Sequence, residues 1–256
     1  MVDFNLNNAR KSLAEPEIEG QDLFIKLLDE QIQRENKQEA KREYLGASYI
    51  GEGCSRNIQY KYLNTPHDLG REFKGKTLRI FQRGHAMEDW AAGWMKKAGF
   101  ILKTENKNGQ QFGFSTGGDK FKGHVDGILV GMKDNLKSPF EVPCLWENKA
   151  VNDKSFKDIV KKGVKASKPI YYAQIGLYQY HLNLMDNPAL FTVINANTME
   201  IHYELVEFDA EHCQQNIDKA VNVIQATAVG ETLPRAFEQG SFGCRFCDFQ
   251  ERCWND

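Results

Sequence analysis

Three residues whose types and spacing suggest hydrolytic chemistry are Asp126, Glu147 and Lys149. Asp126 lies in Gly123-His124-Val125-Asp126-Gly127-Ile128, and further on the chain reads Leu145-Trp146-Glu147-Asn148-Lys149-Ala150. Side chains on a strand alternate faces, so a strand over 144–151 puts Glu147 and Lys149 on one face. Gly131, Asp134, Asn135, Ser138 and Pro139 between the two stretches are turn formers, which predicts a hairpin that sets Asp126 beside Glu147. Two hard oxygen ligands at such a distance suit Mg²⁺ or Mn²⁺, and an adjacent lysine completes a site able to hydrolyse a phosphodiester.

Several elements must position these groups. Leu78, Ile80, Phe81, Met87, Trp90, Ala91 and Trp94 recur at helical spacing and predict a helix over 76–98 that stops at Gly99. His85 falls inside it. A lone histidine on such a helix is ordinarily structural; beside other ligands it is a borderline nitrogen donor that tilts the preference towards Mn²⁺. Strands are expected over 100–107 and 110–115, joined as a hairpin at Asn108-Gly109, then over 120–130 carrying Asp126. Pro169 opens an apolar helix in which Gln174 and Tyr178, four residues apart, share a face. An amide in so apolar a helix needs a polar partner, either a substrate or a structural hydrogen bond. Strands over 190–196 and 200–208 follow, then a helix capped by Asp209 and stopped at Gly230.

The ends differ from this middle. Residues 1–17 read as a polar tail, and 21–44 as an amphipathic helix with Leu23, Phe24, Leu27, Leu28 and Ile32 on one stripe, an arm for packing or for a protein partner. The expected organisation is therefore 1–45 as tail and helix, and 46–256 as the main domain. Near the C-terminus Cys244, Cys247 and Cys253 are spaced C-x2-C-x5-C. Such density in an intracellular chain argues for metal rather than disulfides, and Cys54, at the start of a helix, supplies a fourth thiolate. Zinc and an iron–sulfur cluster both accept four thiolates. Zinc sites usually pair two close knuckles, whereas one distant cysteine and a terminal trio would close a loop of about 190 residues, which favours 4Fe-4S. Cys144 and Cys213 read as core residues.

Formal net charge is −2, but it is unevenly spread: Lys+Arg against Asp+Glu is 7 to 10 over 1–45, 22 to 14 over 46–199, and 4 to 11 over 200–256. The basic middle, with six lysines (154, 157, 161, 162, 165 and 168) in a short run, fits a polyanionic substrate or else a solvated face. No apolar run is long enough to span a membrane and no signal-peptide pattern opens the chain, so a soluble cytoplasmic protein is expected.

Taken in order, His85, Gly123-x-x-Asp126, Glu147-x-Lys149 and Gln174-x-x-x-Tyr178 resemble the PD-(D/E)XK nuclease superfamily in its RecB-like branch. The four cysteines, one before and three after, look like its iron–sulfur subset, typified by the AddB nuclease domain and the small CRISPR-associated nuclease of spacer acquisition. Val125 stands where the superfamily name has proline. The resemblance implies an α/β fold with a restriction-endonuclease-like central mixed sheet flanked by helices, and a C-terminal cluster lobe. It implies a metal held by His85, Asp126, Glu147 and the Asn148 carbonyl, with Lys149, Gln174 and Tyr178 acting at the reaction, and a 4Fe-4S cluster on Cys54, Cys244, Cys247 and Cys253. The expected activity is a divalent-metal-dependent DNA exonuclease on single strands or duplex ends. A non-catalytic DNA-binding or scaffold subunit and an endonuclease are the alternatives.

Overall fold

The computed structural model describes residues 14–134 and 136–255. In chain order the elements are helix α1 (Ala14–Gln38), strand β1 (Leu45–Gly46), a 3-10 turn (Ala47–Tyr49), α2 (Ser55–Tyr62), α3 (Gly75–Lys97), β2 (Phe100–Lys103), β3 (Gly113–Thr116), β4 (Phe121–His124), β5 (Gly127–Met132), β6 (Cys144–Val151), α4 (Asp153–Ser167), α5 (Pro169–His181), β7 (Ala189–Asn195), β8 (Ile201–Val206), α6 (Ala210–Ala228), and the short α7 (Phe242–Arg245) and α8 (Gln250–Asn255). The chain divides into two units, residues up to Ala40 with Glu72–Arg83, and Lys41–Arg71 with the chain from Gly84 onward. No described helix is long and apolar enough to cross a membrane.

In the larger unit, Cys144–Val151 is apolar on both faces apart from its charged pair, so it belongs at the centre of a sheet. It is the middle strand of five, in the order β2-β5-β6-β7-β8, with β6 and β7 parallel and the other pairs antiparallel. One face, Leu145, Phe191 and Val193, packs on Ile159 of α4, Ile175 and Leu177 of α5 and Val223 of α6. The other, Leu129, Trp146, Leu190 and Ile194, packs on Met87, Ala91 and Ala92 of α3. The result is a mixed α/β arrangement with a central mixed sheet between helices. A second sheet, β1-β4-β3, lies beside it in sequence but is separately paired.

Three expectations change. Residues 100–115 do not form one hairpin: β2 and β3 enter different sheets and share only a Glu105–Gln111 bridge. Asn106 Oδ1 accepts from the amides of Asn108 (2.9 Å) and Gln110 (3.1 Å), closing the turn locally, and Val125 N then draws Phe112 O away at 2.9 Å. The 120–130 strand breaks at Val125-Asp126 for the same reason, since β4 pairs in one sheet and β5 in the other. The lysine run, for which the sequence leaves a loop or a helix face open, is a helix, capped by Asn152 Oδ1 on Ser155 N (2.9 Å) and broken at Gly163, where φ is +75°. The first helix starts at Ala14, inside the stretch read as tail; residues 1–13, and Asn135 among the turn formers, lie outside the described residues.

In the smaller unit α1 pairs Asp29 with Arg79, and Gln33 Nε2 donates to Phe73 O at 2.9 Å. Gly75 is required there, because a Cβ would collide with Asp29.

The C-terminal segment is held on α2 by polar and apolar contacts. Gln59 donates to Glu231 O (2.7 Å) and accepts from Leu233 N (2.9 Å); Phe249, fully buried, stacks at 5.2 Å from Tyr60. Buried Asp68 caps α8 by accepting from Glu251 N (2.6 Å) and Arg252 N (3.3 Å). Asp68→Ala is expected to weaken this attachment by about 1–2 kcal/mol, roughly tenfold in the open population. Limited proteolysis should then cut the exposed 234–240 stretch correspondingly faster at unchanged far-UV dichroism, and equal cleavage rates would show that the cap does not hold the segment.

Candidate functional site

The site is set where β6 outruns β5. Pairing between them covers Gly127–Trp146, Ile128–Leu145 and Leu129–Cys144 and then stops, leaving the amide of Asn148 without a strand partner. Asp126 fills that gap: its Oδ2 accepts from Asn148 N at 2.8 Å, so a carboxylate continues the ladder where backbone ends. Asn148 is otherwise fixed by Thr192, whose hydroxyl donates to its Oδ1 at 2.9 Å and accepts from Trp146 Nε1 at 3.0 Å.

Glu147 is fully buried, and its Oε1 pairs with the Lys149 ammonium two residues on. Its second oxygen, Oε2, is buried with no hydrogen-bond partner. Burial first, and then the charge of Asp126, push the Glu147 carboxyl up to about 8. Burial acts to lower Lys149, but Glu147 and Asp126 outweigh it and hold the ammonium charged well above the usual lysine range.

Tyr178 reaches this group from α5: Glu147 and Asp126 add to burial in raising its phenol. Gln174 Nε2 donates to Tyr178 Oη at 3.0 Å, so the amide's partner is its own helix neighbour. The approach depends on Gly123, where a Cβ would collide with the Tyr178 ring and meet Phe114 at 2.7 Å. The Lys149 ammonium also lies 5.6 Å from the Tyr171 ring centroid.

The structure thus brings Asp126, Glu147, Asn148, Lys149 and Tyr178 together, with Gln174 behind Tyr178. His85 is not among them. It is exposed on α3 and makes no hydrogen bond or ion pair among the described residues, whereas Glu88, three residues on, hydrogen-bonds Asp126. Burial, and next the charge of Asp126, push Glu88 up to about 7. Sequence reading missed Glu88; the signal was the acidic pair Glu88-Asp89 set into the apolar stripe of Met87, Trp90 and Ala91. Glu88, Asp126 and Trp146 line a cleft of about 520 Å³, with Lys96, Glu105 and Gln111 around it.

Asp126 and the buried Glu147 Oε2, which lacks any donor, are two hard oxygen groups of the kind a divalent cation takes. The lysines of α4 are less available than their number suggests. Lys157, Lys162 and Lys165 pair with Asp153 (2.8 Å), Asp158 (2.7 Å) and Asp209 (2.9 Å), and Lys168 donates to Ser155 Oγ (3.1 Å). Lys154 and Lys161 have no ion-pair partner among the described residues.

Cys54, Cys244, Cys247 and Cys253 line one cavity of about 210 Å³, bounded also by Tyr60, Ile170 and Phe237. Cys54 is the residue before α2. Burial pushes the Cys247 thiol up, and Cys54 and Cys253 add to that shift, so the thiols feel one another. Among the described residues no three His, Cys, Asp or Glu side chains are close enough to hold a single ion. Four cysteines on one cavity are soft donors of the kind that zinc or an iron–sulfur cluster takes. Cys144 and Cys213 are buried in the core, as expected.

No family model matches this chain, and no curated protein does. Among solved structures it is similar to SSO0001, at 16% identity over 89% of this chain and 95% of that one with a TM-score of 0.47. It is also similar to an alkaline exonuclease, LHK-Exo, from Laribacter hongkongensis, at 15% identity over 74% and 90% of the two chains (TM-score 0.48), and to LHK-Exo in complex with dAMP, at 14% over 73% and 89% (TM-score 0.49).

The raised carboxyls have a thermodynamic consequence for the metal-free protein. Glu147 binds its proton more tightly folded than unfolded, since its reference value is 4.5. Between that value and about 8 the folded state therefore carries more protons, and stability falls as pH rises through this window. Thermal melts of metal-free protein should show this loss, with Mg²⁺ or Mn²⁺ stabilising more at pH 8 than at pH 5.5. Glu147→Gln should flatten both dependences, and a Glu147→Gln profile identical to the parent's would count against a crowded, cation-seeking site.

Proposed function

We propose that the chain is a divalent-metal-dependent deoxyribonuclease of the PD-(D/E)XK type, in its RecB-like branch, acting as an exonuclease on single-stranded DNA or duplex ends. The observation that carries this reading is the unpartnered, buried Glu147 Oε2, beside Asp126 and Lys149, where the pairing of β5 with β6 stops. Asp126 and Glu147, with the Asn148 carbonyl, would hold Mg²⁺ or Mn²⁺, which supplies polarisation of a phosphoryl oxygen and acidification of a water, with Glu88 beside Asp126.

Each residue of the chain then has a distinct part. Lys149, paired with Glu147, is placed to donate a hydrogen bond to charge developing at the phosphorus. Asp126 is fixed in place by Asn148 N, so its free oxygen is oriented before substrate arrives. Tyr178, with its phenol held protonated by burial and steadied by Gln174, is a second donor on the α5 side. Free Lys154 and Lys161 are suited to contacting phosphates outside the reacting centre. The four cysteines would hold a 4Fe-4S cluster that ties the start of the main domain to its C-terminal segment. We assign the exposed Leu23, Phe24, Leu27 and Leu28 of α1 to a protein partner.

The test is digestion of end-labelled linear single-stranded and duplex DNA, with circular single strands as the control for endonuclease action. Glu147→Ala and Lys149→Ala are expected to lose about 100-fold or more, on the order of 3 kcal/mol. Glu88→Gln should lose at least roughly tenfold, through its hydrogen bond to Asp126, whereas exposed His85→Ala should stay close to the parent. Digestion at the parent rate by both Glu147→Ala and Lys149→Ala would sink the reading. Tight DNA binding without cleavage under any divalent metal would instead favour a non-catalytic subunit.

A further inference from the structure

Two guanidinium groups line the cavity of the four cysteines. Arg56 Nη1 donates to Cys253 Sγ at 3.8 Å and to Cys253 O at 3.5 Å, and its Nε donates to Leu233 O at 2.5 Å. Arg235 donates to Cys253 O from Nε (2.9 Å) and Nη2 (2.5 Å), with its guanidinium 4.6 Å from the Trp254 ring centroid. The carboxylate on the cavity wall, Glu52, is already engaged by Lys61 and by Asn57 Nδ2 (2.9 Å). The wall is therefore electropositive, and nothing in a set of neutral thiols calls for that.

Four thiolates on a tetranuclear cluster in its 2+ state carry a net charge of −2, which two fixed guanidiniums offset. We propose that Arg56 is the residue that sets the electronic character of this site, as a positioning residue whose N–H donates to the Cys253 sulfur while Arg235 holds the Cys253 backbone. The inference rests on the four-thiolate cluster reading. Its physical basis is that an N–H···S bond withdraws electron density from the ligating sulfur, so the more negative reduced cluster is favoured and the potential rises. The bond to Leu233 O fixes the direction of the donor, and a guanidinium keeps its charge at every working pH. Arg56 also sits two residues after Cys54, so one turn of α2 delivers both a ligand and its counter-charge. Arg56 thereby reaches from one end of the main domain to the last cysteine.

The experiment uses the full chain purified anaerobically as parent, Arg56→Gln and Arg56→Lys, with iron and sulfide content, a dithionite-driven redox titration and iron release to a ferrous chelator. The parent should contain iron and sulfide in equal amounts. Arg56→Gln should fill the site but show a more negative midpoint potential and release iron about tenfold faster. Arg56→Lys, which keeps the charge but lacks the directed fork, should fall between the two, and it carries the test alone if dichroism shows Arg56→Gln unfolded. A potential and release rate equal to the parent's in the folded variants overturns the role of Arg56 while leaving the cluster in place. A parent protein without iron or sulfide overturns the cluster reading itself, and this inference with it.

Discussion

The constraint on which the rest of the larger unit depends is the burial of Glu147 with one oxygen paired to Lys149 and the other left without a donor. A buried carboxylate in that condition is costly, and the pressure of Asp126 and Glu88 makes it more so. Such an oxygen can be completed only by a donor or a cation from outside its present partners. Strain of this kind needs rigid surroundings. Glu147 lies on the central strand, with parallel pairing to β7 running unbroken from Trp146 to Val151.

Around that strand the neighbouring elements are arranged by their departures from regular structure. Because β5 ends at Gly127, Asp126 can turn its side chain, rather than its backbone, to Asn148 N. Because the chain switches sheets at Val125, Asp126 lies at a junction that neither sheet constrains to a pleat. Because residue 123 has no Cβ, the Tyr178 ring enters the space beside β4. Each irregularity removes one regular contact and places one polar group at the same point.

This explains which parts of the site were legible in the sequence. The β6 strand, the helices over α3, α5 and α6, and the pairing of Asp126 with Glu147 follow from periodicity and turn formers, which are local signals. The hairpin expected at Asn108-Gly109 and the continuous 120–130 strand did not form, because a partner in a second sheet decides where a strand ends, and no single segment encodes that. Glu88 and His85 show the same limit at the level of one turn. Both sit in a helix of known phase, but which polar residue meets Asp126 depends on how α3 lies on the sheet, and the packing of Met87, Ala91 and Ala92 turns Glu88 inward and His85 out. The Gln174–Tyr178 pair is legible as a shared face, while the structure adds that the two bond to each other.

Helix α5 connects the two chemically distinct regions of this unit. Ile170, in its first turn, lines the cysteine cavity, and Gly51 lies so close to it that a Cβ there would strike the Ile170 backbone. Gln174 and Tyr178 follow on the same helix, about 6 and about 12 Å from Ile170 at 1.5 Å per residue, and there Tyr178 meets the electrostatic field of Glu147 and Lys149. Lys219 of α6 fastens the intervening loop by donating to Ile50 O at 2.9 Å and Glu52 O at 3.3 Å. Helix α5, 13 residues or between three and four turns long, is buried over Tyr172–Ile175 and Leu177–Gln179. The cysteine cavity and the Glu147 group are thus linked by one helix, through Ile170 in its first turn and Tyr178 further along.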